Sequence, residues 1–149
     1  MGNRRRKLAD RIAAQLALLR ARRLLATAPV GALTERRRAD RDAAERVALD
    51  AAQRDTHAAL RARELADAVQ WTAAHGLFRP FCLVQSLAIQ DQLNRARIGG
   101  SEIRVGVRRD GNALKAHAWV RWGGEVLGDD PAYVGRFTEV DDIGVLGLR

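Results

Sequence analysis

Residues 102–128 read EIRVGVRRDGNALKAHAWVRWGGEVLG, and the period of two in this stretch decides the fold class. Ile103, Val105 and Val107 alternate with Arg104 and Arg108, so residues 102–109 are predicted to form a half-buried strand. Residues 110–112, DGN, make a hairpin turn, because Asp and Gly readily take positive backbone φ. A second strand, ALKAHAWVRW, follows over residues 113–122. Gly123 and Gly124 then turn the chain into a third, EVLG, which ends at Asp129. Within the second strand His117, Trp119 and Arg121 share one face, whereas Ala118, Val120 and Trp122 face the other way as a candidate core face.

Everything upstream reads with a helical period. Leu8, Ile12, Leu16 and Leu19 recur at helical spacing with arginines between them, which predicts a first helix over residues 8–25. TAPVG, residues 27–31, interrupts it. A second helical region spans residues 34–75. Its early part, residues 40–54, has few large apolar side chains and is expected to be exposed or lightly packed; Leu60, Leu65, Val69 and Trp71 supply the rest. Gly76 and Pro80 close this region. A third helix is predicted over residues 81–97, with a stripe of Leu83, Val84, Leu87, Ala88 and Leu93, stopped by Gly99 and Gly100. Helices first and an antiparallel meander afterwards make the fold class α+β. Two regions are expected: a basic helical one over residues 1–75 and a second over residues 76–149 that combines helix and meander.

The chain has 149 residues, enough for one domain with a modest core and too few for two full domains. A single cysteine excludes an internal disulfide framework and fits a reducing compartment. No apolar run reaches the length of a membrane span, and the N-terminus has no signal-type apolar segment, so the expectation is a cytoplasmic protein without membrane attachment. The net charge is +8, and the excess lies in residues 1–66. A basic half of this kind can follow phosphates, acidic lipid or an acidic protein.

Cys82 stands two residues past Pro80, at the predicted start of the third helix. A lone cysteine is often a small apolar core residue. A thiol at a helix N-terminus is a different matter, because the unpaired amides there favour the thiolate, the reactive form. A nucleophilic thiol also needs a base and a group to orient that base. His117 lies mid-strand, and Asp129 and Asp130 end the strand paired with it. A two-residue turn at Gly123 and Gly124 pairs Trp122 with Glu125 and puts His117 opposite Asp130. A bulge or a longer turn would bring Asp129 into that place. Metal binding finds no support in the spacing of Cys82 and the three histidines, His57, His75 and His117. His57 and His75 sit among charged residues and read as surface side chains. Trp119, on the face of His117, is a candidate substrate contact. No nucleotide-binding glycine motif is present, and no cofactor is expected.

CLVQSLAIQDQLNRAR, followed by IRVGVRRDG and AHAWVRWGGEVLGD, resembles the leader peptidase of lasso-peptide biosynthesis, a member of the transglutaminase-like, papain-related cysteine protease superfamily. The likeness runs over residues 66–133 and rests on the cysteine helix and the Ala-His-Ala-Trp-Val strand taken together. It implies that residues 76–149 are a transglutaminase-like protease core in which Cys82 is the nucleophile, His117 the general base and then acid, and Asp129 the residue orienting the imidazole, with Asp130 in reserve. Some members begin with a small leader-binding domain that has strands of its own. Residues 1–75 show no strand pattern, so the resemblance implies a stand-alone protease that works with a separate leader-recognition protein on a precursor peptide. A macrolactam synthetase would take up the product. Two rival readings are a basic helical module binding nucleic acid through residues 4–7, 20–23 and 36–38, and an inactive scaffold that binds a partner. Absence of aromatics from the first 70 residues argues against stacking on single strands, so no nucleic-acid partner is expected.

Overall fold

The computed structural model describes residues 2–28 and 41–140. Among the described residues four helices come first: α1 (Gly2–Thr27), α2 (Arg41–Arg54), α3 (Thr56–His75) and α4 (Cys82–Arg95). They are followed by β1 (Glu102–Asp110), β2 (Ala113–Trp122), β3 (Glu125–Leu127), a short α5 (Pro131–Val134) and β4 (Thr138–Glu139). This is the α+β arrangement expected from the change of period.

Two elements differ from the expected helices for local reasons. The single region expected over residues 34–75 is split at Asp55, whose extended backbone leaves the helix while its side chain accepts a hydrogen bond from the His57 amide at 2.9 Å, capping α3. Residues 34–40 of that region, and the arginines at 36–38, lie outside the described residues. In α1 the row Leu8, Ile12, Leu16 and Leu19 marks the helix but does not enter the core. The buried face is Ala14, Ala17, Leu18 and Ala21. Alanines there let α1 lie close against α3 and α4, and a bidentate ion pair from Arg61 to Asp10, at 2.6 and 2.7 Å, fastens it to α3. The paired carboxylate raises the Arg61 pKa further.

The sheet is antiparallel in the order β3-β2-β1-β4. Both of its faces are covered. On one side Val120, Trp122 and Leu127 join a core with Leu65 and Val69 of α3 and Leu87, Ile89 and Leu93 of α4. The face expected to be open carries Trp119, which is buried against Val134 and Phe137. This cover comes from α5 and β4, elements too short to show a period in the sequence: β4 pairs Thr138 with Val107 and Glu139 with Gly106. Gly106 is the close-approach point, since a Cβ there would lie 2.8 Å from both Trp119 Cη2 and Phe137 Cβ. Gly106→Ala is therefore expected to cost about 1–3 kcal/mol by overpacking, read as a lowered urea midpoint with an unchanged m value. No helix among the described residues is long and apolar enough to cross a membrane.

Candidate active site

Pro80 and Phe81 approach α4 in extended conformation, and Cys82 is its first residue. The Phe81 carbonyl accepts the first intrahelical bond, from Gln85 N at 3.1 Å, and no side chain caps the helix. The first-turn amides are thus left to whatever ligand reaches them. Gln85, one turn beyond Cys82, donates from Nε2 to the Pro80 carbonyl at 2.9 Å and braces the approach to the thiol.

His117 lies on β2 beyond the reach of β3, which pairs only with residues 120–122 of that strand. The short strand leaves the sheet edge open beside the imidazole. His117 Nε2 stands 2.6 Å from Asp129 Oδ2, and both side chains are mostly buried. A carboxylate at Nε2 selects the neutral tautomer that carries its proton there, which leaves the Nδ1 lone pair available as a base. Asp129 is itself fixed, because Oδ1 accepts the Asp130 amide at 2.8 Å. Tyr133 meets the imidazole edge-on at a centroid distance of 5.2 Å, and Phe137 lies tilted at 5.2 Å on the same ring. The ring is therefore held by packing as well as by the carboxylate.

Asp129, rather than Asp130, reaches the imidazole, and it does so by an unexpected route. The turn at Gly123 and Gly124 has the ideal register, Trp122 opposite Glu125, with no bulge. Parity alone would then give Asp130. Instead β3 stops at Leu127, and Gly128 turns the chain at φ +70°, which swings Asp129 onto the ring. Asp130 serves the next helix instead, where its Oδ1 accepts the Ala132 amide at 2.9 Å and caps α5, with Pro131 at the first helical position. A side chain at position 128 would meet both a strained backbone and Ile89 Cδ1, 2.5 Å from its Cβ.

Cys82, His117 and Asp129 all line one cavity of about 660 Å³ between α3, α4 and the β2–β3 edge. Sequence patterns point to these three, and to Trp119 and Asp130 on the same wall, but do not single out its other residues. Gln85 was within reach of sequence reasoning, since three positions from Cys82 is the same helix face. Gln70 of α3 and Arg63 carried no such signal. Trp119 also lines the cavity, although its burial makes it chiefly a packing residue, and its Nε1 has no hydrogen-bond partner among the described residues. His57 and His75 are exposed, as expected. Among the described residues no group of three His, Cys, Asp or Glu side chains is arranged to hold a metal ion.

Arg63 of α3 and Glu125 of β3 form a two-pronged ion pair on the cavity wall, with Nε to Oε2 at 2.9 Å and Nη2 to Oε1 as the second bond. Hydrogen bonding to Arg63 holds the Glu125 carboxyl below the usual glutamate range. A depressed carboxyl stabilises the fold fully above the unfolded value, near pH ~4.3, and loses that contribution as pH falls through the lowered folded value. Both side chains are half exposed, so solvent screens the pair and the contribution is small. Wild type should then exceed Arg63→Ala in melting temperature at neutral pH, with the gap closing as pH falls below about 4. A gap that persists in acid would assign the loss to packing of the arginine stem instead.

A scan against protein families matches residues 8–141 to the transglutaminase-like superfamily. The chain belongs to that superfamily. The transglutaminase-like match runs from α1 past β4 and so includes the basic helices as well as the cysteine helix and the meander. Cysteine peptidases are among the enzymes of the transglutaminase-like superfamily. Searches of curated proteins and of solved structures found no match.

Proposed function

We propose that this transglutaminase-like protein is a cysteine endopeptidase that releases the leader from a ribosomally made lasso-peptide precursor. The observation that carries the enzymatic part is the 2.6 Å contact between His117 Nε2 and Asp129 Oδ2, beside a cavity that also receives the Cys82 end of α4. The lasso-peptide part draws on the likeness of the cysteine helix and the Ala-His-Ala-Trp-Val strand to leader peptidases.

In this reading the Cys82 thiol proton passes to His117 Nδ1, and the thiolate sulfur attacks the scissile carbonyl carbon. The oxyanion is met by first-turn amides of α4, including that of Cys82. His117 returns the proton to the amine nitrogen as the C–N bond breaks, and the core peptide departs with a free N-terminus. The leader remains as a thioester on Cys82. Water then gives a proton to His117 and attacks the thioester, the leader leaves as a carboxylic acid, and the sulfur regains its proton. Asp129 keeps the imidazole in the useful tautomer and stabilises its cationic form.

A separate leader-recognition protein presents the precursor, and a macrolactam synthetase consumes the freed amine. Mixing the protein with a precursor and its leader-recognition partner should give two new masses, leader and core, that sum to the precursor plus one water. Intact precursor after prolonged incubation with both components would overturn the assignment.

A further inference from the structure

The outer face of α1 is the feature of this molecule that its candidate site does not use. Leu8, Ile12, Leu16 and Leu19 are exposed by 60%, 57%, 50% and 37%, although α1 has a well-buried opposite face. Leu77, exposed by 82%, stands beside α1: its amide donates to Gln15 Oε1 at 3.3 Å. Steps of four, four and three residues make the row one side chain wide per turn. That is the seam of a helix pair rather than the broad apolar face of a helix lying in a bilayer.

Charge narrows the occupant. Eight basic residues stand on α1 against one acidic residue, Asp10, and Asp10 is occupied by Arg61. Arg6 and Arg20 are matched by Glu64 and Asp91, and Arg11 lies over the Trp71 ring. Among the described residues Arg4, Arg5, Lys7 and Arg23 meet no carboxylate. Arg5 and Arg23 fall at the two ends of the apolar row, by helical spacing. A second copy of this chain would bring like charge to like charge, and phosphates gain nothing from a central row of leucines.

We propose that the outer face of α1 is a docking surface for a protein helix of opposite character, with an apolar seam bordered by Asp and Glu. The surface requires nothing of the candidate site and stands whether or not leader cleavage is the activity.

The probe is a labelled three-heptad peptide with Leu at positions a and d and Glu at e and g, read by fluorescence anisotropy against the full chain. Saturable binding is expected at about 50 mM salt, weakening severalfold at about 500 mM. Ile12→Asp combined with Leu16→Asp should lose at least about tenfold in affinity, and Arg5→Glu combined with Arg23→Glu about fivefold or more. A peptide with Lys at e and g should bind at least about tenfold more weakly. The charge pair is exposed and tests the surface even if the apolar pair disturbs folding. Equal binding of the two peptides, or binding indifferent to the charge pair, overturns the proposal. So does recruitment to phosphatidylserine vesicles without peptide binding, or self-association that disappears in the Ile12→Asp, Leu16→Asp variant.

Discussion

Cys82→Ala is expected to abolish precursor cleavage, with a loss of about 10⁵-fold or more, while the melting temperature shifts little. Nothing else in the cavity can replace the sulfur: Ser86, one turn along α4, is buried, and an acyl-enzyme needs the atom at the helix tip. Losses of this size accompany removal of the nucleophile from a hydrolytic triad, since the remaining groups then act only by binding and polarisation. The measurement is single-turnover cleavage followed by mass spectrometry, with precursor binding recorded in parallel. Retained binding with lost cleavage is the expected pair of results. Cleavage that survives in the alanine variant would assign the reaction to another group and remove Cys82 from the chemistry.

Asp129→Asn should be the next most damaging change, lowering kcat by about 10²–10⁴-fold with little effect on KM. An amide can present its NH₂ to Nε2, which draws the imidazole proton to Nδ1 and removes the lone pair that the proposed mechanism uses as its base. Asp130→Asn is the matched control. Asparagine caps a helix about as well as aspartate, so this variant should keep both the α5 cap and the activity. If the two variants lost activity equally, the 2.6 Å contact at Asp129 would not be the one that matters.

The hairpin of β1 and β2 was legible because its signal is local: strict alternation, a DGN turn and a diglycine all agree. Cys82 at a helix tip and His117 in mid-strand stand where the sequence placed them, whereas Asp129 lies two residues past the end of β3. The finer choice between adjacent aspartates was less legible. Strand parity pointed to Asp130 and the family resemblance to Asp129; the contact with the imidazole turns on where β3 ends and how Gly128 bends, with Ile89 close beside it. Elements as short as α5 and β4 have no period to read, although α5 and the turn that joins it to β4 supply Tyr133 and Phe137 around the imidazole. The outward leucines of α1 mislead in another way. Apolar spacing marks a helix but does not say which face the neighbouring helices take when alanines permit closer contact.

The rear of α4 rests on α1: Gln92 Nε2 donates to the Ala13 carbonyl across 79 positions of sequence, and Arg20 grips Asp91 nearby. In synthesis α1 precedes α4 by more than fifty residues and must therefore wait, one flank uncovered, until the cysteine-bearing segment arrives to seat against it. Removing α1 would loosen the thiol from behind, without altering a single side chain around the cavity.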